Sequence, residues 1–211
     1  LPPGRFFSYS NPGYWLAGHV IERVAEEPFA DAMKRLVFEP LGMRHSTFRP
    51  EAMARLPLAA PFDGRENELV PPPNHAGTWP SGSLYSNVRD LSQLAIALLH
   101  CGRVGGRQAL PESVVAALLL PRVDIPERPG RRYGYGLVFE TSRGASLVFH
   151  TGGRAGYGSM IRLVPDEGLA VVALTNRTAA VPVKTVDAAT ALFVEQPPRQ
   201  PEPKTRQVRD G

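Results

Sequence analysis

From residue 133 onward the chain changes its period. Four segments, 133–140, 146–150, 159–164 and 169–175, are rich in β-branched and aromatic residues and bounded by turn-forming ones. Parallel strands need a crossover of a dozen or more residues, and none of the three connections is that long. The segments therefore predict an antiparallel meander rather than alternating βαβ units. Pro165-Asp166-Glu167-Gly168 predicts the turn of its last hairpin.

The rest of the chain reads mainly as helix. Residues 12–27 place Leu16, Ala17, Val20, Ile21 and Val24 on one side, with Glu22, Arg23, Glu26 and Glu27 largely off it. Asn11 is the expected N-cap and Pro12 the expected first helical residue. Pro28 ends this helix, and a second follows with Phe29, Met33, Leu36 and Val37 on one side, closed by Pro40-Leu41-Gly42. Residues 43–80 are proline-rich and weakly periodic. They predict a long ordered loop with at most one short strand, of the kind that lines or covers a site. Asn87 caps a helix over 88–101 whose apolar face is Leu91, Leu94, Ala95, Leu98 and Leu99. Shorter helices are predicted over 111–120 and 182–194, with loop at 121–132. Residues 1–195 form one expected unit, and 196–211, rich in proline and charge, an expected disordered tail or linker.

Composition narrows the functions. A hydrophobic content of 43% supports a packed core. The net charge of +4 comes from scattered Arg, with no basic run interleaved with aromatics, which argues against a nucleic-acid partner. No apolar run is long enough to span a bilayer. Cys101 is the only cysteine, so no internal disulfide or cysteine metal site is expected, and its place near a helix end predicts a buried, inert thiol. His19, His45, His75 and His100 lack metal-ligand spacing, and no metal or other cofactor is expected.

Two stretches carry candidate chemistry. Phe7-Ser8-Tyr9-Ser10-Asn11 sets a phenol and an amide two residues apart beside a rigid helix, which is how a site is built and also how an ordinary loop-to-helix joint looks. His150-Thr151-Gly152-Gly153 puts an imidazole, a hydroxyl and two glycines at the end of a predicted strand, where free N–H groups can meet a carbonyl or carboxylate. The same residues also suit a turn between two strands.

Read in order, the motifs resemble a known family. They are Phe7-Ser8-Tyr9-Ser10-Asn11, then Phe38-Glu39-Pro40-Leu41-Gly42-Met43, then Ser81-Gly82-Ser83-Leu84-Tyr85-Ser86 before an Asp-Leu helix. Tyr133-Gly134-Tyr135-Gly136-Leu137, His150-Thr151-Gly152-Gly153 and Pro165-Asp166-Glu167-Gly168-Leu169 follow. This order resembles the β-lactamase-related serine hydrolases, the group of class C β-lactamases, D,D-peptidases and esterases, over roughly the whole of residues 2–195. The resemblance implies an α+β fold of the β-lactamase/transpeptidase type, with an antiparallel sheet flanked by helices. It implies a cleft where a Ser-x-x-Lys nucleophile, a Tyr-x-Asn and a Lys/His-Thr-Gly meet. Tyr9 matches the phenol, Asn11 the amide, and His150, Thr151 and Gly152 the third motif, with Gly153 as the oxyanion donor. Arg154 and Tyr157, just beyond, are candidate substrate contacts.

Two departures qualify the match. Lys occurs only at 34, 184 and 204, each with a residue other than Ser three positions earlier, so no Ser-x-x-Lys exists in the chain. The expectation is a β-lactamase-related domain whose N-terminal part, with the nucleophile, lies outside it. His150 stands where many β-lactamases have Lys, and a mostly neutral imidazole favours an ester, amide or peptide substrate over a β-lactam carboxylate. Two readings follow: a serine hydrolase working through an acyl-enzyme, or a non-catalytic fragment or binding module.

Overall fold

A computed structural model describes residues 7–55, 57–70, 74–142 and 144–194. The expected tail and the Pro71-Pro72-Pro73 run lie outside the described residues. The chain opens with a helix, Asn11–Ala25 (α1). The expected second helix is there in three joined pieces: Phe29–Met33 (α2), a π-helical turn Lys34–Phe38, and Glu39–Leu41 (α3), which Gly42 ends at positive φ. After two 3₁₀ turns, Pro50–Arg55 and Ala76–Ser81, comes the helix Val88–Leu99 (α4). A two-residue hairpin, Arg103–Val104 (β1) with Arg107–Gln108 (β2), and the helix Glu112–Leu118 (α5) follow.

The sheet is the predicted meander. Val123–Asp124 (β3), Arg131–Tyr133 (β4), Val138–Ser142 (β5), Ala145–Arg154 (β6), Tyr157–Val164 (β7) and Leu169–Thr175 (β8) lie side by side in chain order, all antiparallel. Val183–Ala191 (α6) closes the described chain. Alternate residues serve two cores. Val148, Ile161, Leu163, Ala170 and Val172 face the helical layer with α4, packing with Ala95, Leu98, Trp79 and Phe48. Leu147, Phe149, Met160, Val164 and Val171 face the other way, onto Val186 of α6. The result is a sheet between two helical layers.

Three expectations about the sheet are corrected. The segment 133–140 is two strands, because the chain turns back at 134–137: the Gly134 N–H donates to the Leu137 carbonyl at 2.8 Å and Gly136 takes a φ of 79°. The stretch 121–132, expected as loop, supplies β3 and most of β4. The strand predicted to end at His150 continues to Arg154, in register with β7 from Val148↔Leu163 to Arg154↔Tyr157.

The helical layer is fastened by one buried acid. Asn87 caps α4 by accepting the Asp90 N–H at 2.9 Å. Asp90, 3% exposed, accepts the His45 N–H at 2.7 Å and the Ser46 hydroxyl at 2.8 Å, which ties residues 43–48 to the helix. The long loop is ordered by similar bonds. The Phe62 N–H donates to the Asn176 carbonyl at 2.9 Å and the Thr178 N–H to the Phe62 carbonyl at 2.8 Å, binding residues 59–64 beside the end of β8. Among the described residues of 43–80 the strand content is limited to isolated bridges such as Thr47↔Tyr85 and Phe62↔Arg177. Cys101 is exposed, not buried: α4 stops at Leu99 and the chain turns outward with Cys101 and Gly102 both at positive φ.

Candidate active site

Tyr9 is set by the start of α1. The N-cap is Ser10, not Asn11: its hydroxyl accepts the Gly13 N–H at 3.1 Å, and Asn11 is the first helical residue. Pro12 then sits second in the first turn, where a missing N–H still leaves no gap in the ladder. The correction matters for chemistry, because Asn11 is not the capping side chain and stands exposed beside Tyr9. Tyr9 itself is 56% exposed.

β6 brings the second group of residues to Tyr9. The β5–β6 ladder ends at Val138↔Phe149, whereas the β6–β7 ladder runs on to Arg154. Residues 150–154 thus pair with β7 on one side, and no described strand continues β5 along the other. Along this free edge alternate residues of 151–153 turn their backbone N–H and C=O groups away from β7. Thr151 and Gly153 are exposed, and Gly152 is half-buried against Ser159.

His150 sits at the head of that edge between two phenols, Tyr9 and Tyr133. Its ring centroid lies 6.2 Å from that of Tyr9, with the planes 25° apart, a stacked pair. Tyr133 meets both rings edge-on, at 6.1 Å from Tyr9 and 6.2 Å from His150. The Tyr133 hydroxyl is 3.3 Å from Nε2 of His150. Burial holds the His150 pKa below that of a free imidazole, against a smaller opposing backbone contact at Thr151. His150 is therefore neutral at pH 7. Burial, helped by Tyr14 and Tyr9, pushes the Tyr133 phenol far above its ordinary value, and burial also raises Tyr14. Both stay protonated donors across the neutral range.

The remaining candidates hold the edges of the site. Arg154 Nη1 donates to the Ser83 hydroxyl, linking the end of β6 to the loop before α4. Ser83 carries a φ of 66°, which side-chain-bearing residues rarely adopt. The Tyr157 hydroxyl donates to the Ala59 carbonyl at 2.9 Å, so this phenol fastens the long loop to β7. Tyr9, Asn11 and His150–Arg154 thus come to one end of the sheet, with Tyr157 engaged at its flank. Sequence reasoning passed over Tyr133, Tyr14 and Ser83 as site residues. Tyr133 was visible only as part of a Tyr-Gly-Tyr-Gly-Leu motif, and Tyr14 as an ordinary helical residue. Among the described residues, no cluster of three or more His, Cys, Asp or Glu is arranged to hold a metal. No described helix is long and apolar enough to cross a membrane.

Comparison with known proteins gives this arrangement a context. The family model described as Beta-lactamase matches residues 1–196. "Putative beta-lactamase-like 1" of Homo sapiens is 32% identical over 178 residues, covering 82% of this chain and 34% of that protein. The octameric penicillin-binding protein homologue from Pyrococcus abyssi superposes with a TM-score of 0.81 at 26% identity, covering 93% of this chain and 44% of that one. A D-stereospecific amidohydrolase from Streptomyces sp. superposes with a TM-score of 0.73, also at 26% identity, covering 92% of this chain and 57% of that one. The chain spans between about a third and a half of the curated relatives it matches.

Proposed function

Because the chain belongs to the β-lactamase family of hydrolases, we propose that it supplies most of the active site of a serine hydrolase acting on an ester or amide through an acyl-enzyme. The observation that carries this reading is the stacking of Tyr9, from one end of the chain, on His150, from the other, at 6.2 Å between ring centroids. It sits at the head of a strand edge with open backbone donors.

In this reading the nucleophilic Ser lies outside these residues, since no Ser-x-x-Lys occurs in them. Tyr9 accepts the proton of that Ser, which is a poor nucleophile until a base takes it. A free phenol titrates near 10, so the Lys of the same motif favours the phenolate or relays the proton. Asn11 directs its amide to the substrate. Thr151 and Gly152 hold the acyl chain against the strand edge, and the Gly153 N–H binds the oxyanion, a contribution of about 3 kcal/mol to the barrier. Arg154 and Tyr157 shape the rim. A neutral His150 offers no charge for a β-lactam carboxylate, which favours uncharged ester, amide or peptide groups at that position.

A fluorophosphonate probe tests the reading on a longer gene product that carries a Ser-x-x-Lys. One Ser is labelled, and Tyr9→Phe lowers labelling and turnover by roughly 10²- to 10⁴-fold. Unchanged turnover in Tyr9→Phe overturns the assigned role. The 211-residue chain alone is expected to give no ester hydrolysis. Robust turnover there would mean that the nucleophile lies within it, and persistent inactivity of the longer product favours a binding module.

A further inference from the structure

The mechanism proposed above makes no use of Tyr133, yet this residue reaches from β4 to His150 on β6. We propose that Tyr133 is a positioning residue: its hydroxyl donates to Nε2 of His150, fixing the imidazole as the Nδ1–H tautomer and setting the ring plane on which Tyr9 stacks.

The bonding follows from counting protons. A phenol has one O–H, and Nε2 of a neutral imidazole is either a donor or an acceptor. Tyr133 is half-buried and keeps its proton at neutral pH. Its hydroxyl lies 3.3 Å from Nε2. The opposite nitrogen is left to donate.

The surroundings leave few other groups to set the ring. Tyr9 and Tyr133 face it. The β7 residue in register with His150 is the apolar Ile161. Arg154, further along β6, is engaged by Ser83. Holding the imidazole plane therefore holds the face against which the Tyr9 phenol rests. The inference rests on the proposed function only for why this orientation matters; its geometry does not need the missing Ser.

The test is accordingly made on the 211-residue chain without substrate. Nitrogen-15 NMR on histidine-labelled protein reports the tautomer and titration of each of the five imidazoles, with His150→Gln used to assign one of them. Wild type is expected to show His150 with unprotonated Nε2, protonated Nδ1, and a midpoint below the ordinary ~6.5. In Tyr133→Phe the tautomers should mix and the midpoint should rise, because a donor to the neutral form has been removed. A wild-type His150 with Nε2–H overturns the proposal, and this reading stands even if a variant fails to fold. Unchanged shifts and titration in a Tyr133→Phe protein with native circular dichroism and melting overturn it too. Failure of the serine-hydrolase reading would leave all of these signals intact, so the two can fail separately.

Discussion

The helices α1 and α4 begin from similar sequences and end in opposite surroundings. Both carry an apolar stripe at helical spacing, and both start from a side-chain cap. α4 lays its stripe on β7 and β8, and Ala95, Ala97 and Leu98 are buried. In α1 the corresponding residues Leu16, Val20 and Val24 are 66%, 52% and 80% exposed. α1 touches the core along a narrower line, through Gly18, the half-buried Ile21, and Trp15, whose indole N–H donates to Ser81 at 2.8 Å. Periodicity reports which side of a helix is apolar; it does not report whether anything covers that side. α4 is held by volume, α1 by a close approach.

The first way to break this comparison is to remove volume from α4. Leu98→Ala deletes a 5%-exposed side chain at the centre of the larger core. We expect a loss of about 3 kcal/mol, within the usual range for buried Leu→Ala. Urea unfolding followed by far-UV circular dichroism measures it. A loss under 1 kcal/mol would mean that α4 is not packed as described.

The second tests the close approach of α1. A Cβ on Gly18 would lie 2.0 Å from Cγ of Pro80 and 2.7 Å from its Cβ, and a proline ring has no flexible end to move aside. Gly18→Ala must therefore lift α1 from the Ala76–Ser81 turn, at about 1–3 kcal/mol despite the better helix propensity of Ala. Since Tyr9 sits two residues before α1, the shift should also weaken its stacking on His150, visible as a change in the His150 imidazole resonances. A stabilised protein with unchanged resonances would show that α1 is not held at Gly18.

The same contrast explains what could be read in advance. The meander was legible because its period of two and short connections admit one solution, and α4 because Asn87, Asp90 and Gly102 mark its ends. Tyr9 and the 150–153 stretch were legible as motifs. What escaped was decided by long-range packing or by near-equal local choices. Ser10 and Asn11 are comparable caps, and Ser10 prevailed with Pro12 still in the first turn. Cys101 was expected buried from the apolar helix before it, but the left-handed turn at 101–102 carries it outward. Tyr9, Tyr133 and His150 meet from the segment before α1, from β4 and from β6, and no local window contains all three.

The smallest stability effect is expected where the pattern is strongest and the cover absent. Leu16→Ser, Val20→Ser and Val24→Ser each remove an apolar group that is already in water in the described structure, so each should change stability by no more than about 0.5 kcal/mol. Their combined effect should appear instead in association. An exposed apolar stripe with Trp15 beside it favours self-contact, and the triple variant should sediment as a smaller, less concentration-dependent species than the parent. Analytical ultracentrifugation across a dilution series reads this directly. If each substitution costs more than about 1.5 kcal/mol, the stripe is buried in the protein as it exists in solution. α1 and α4 would then differ only in what covers them: the sheet over α4, and another polypeptide surface over α1.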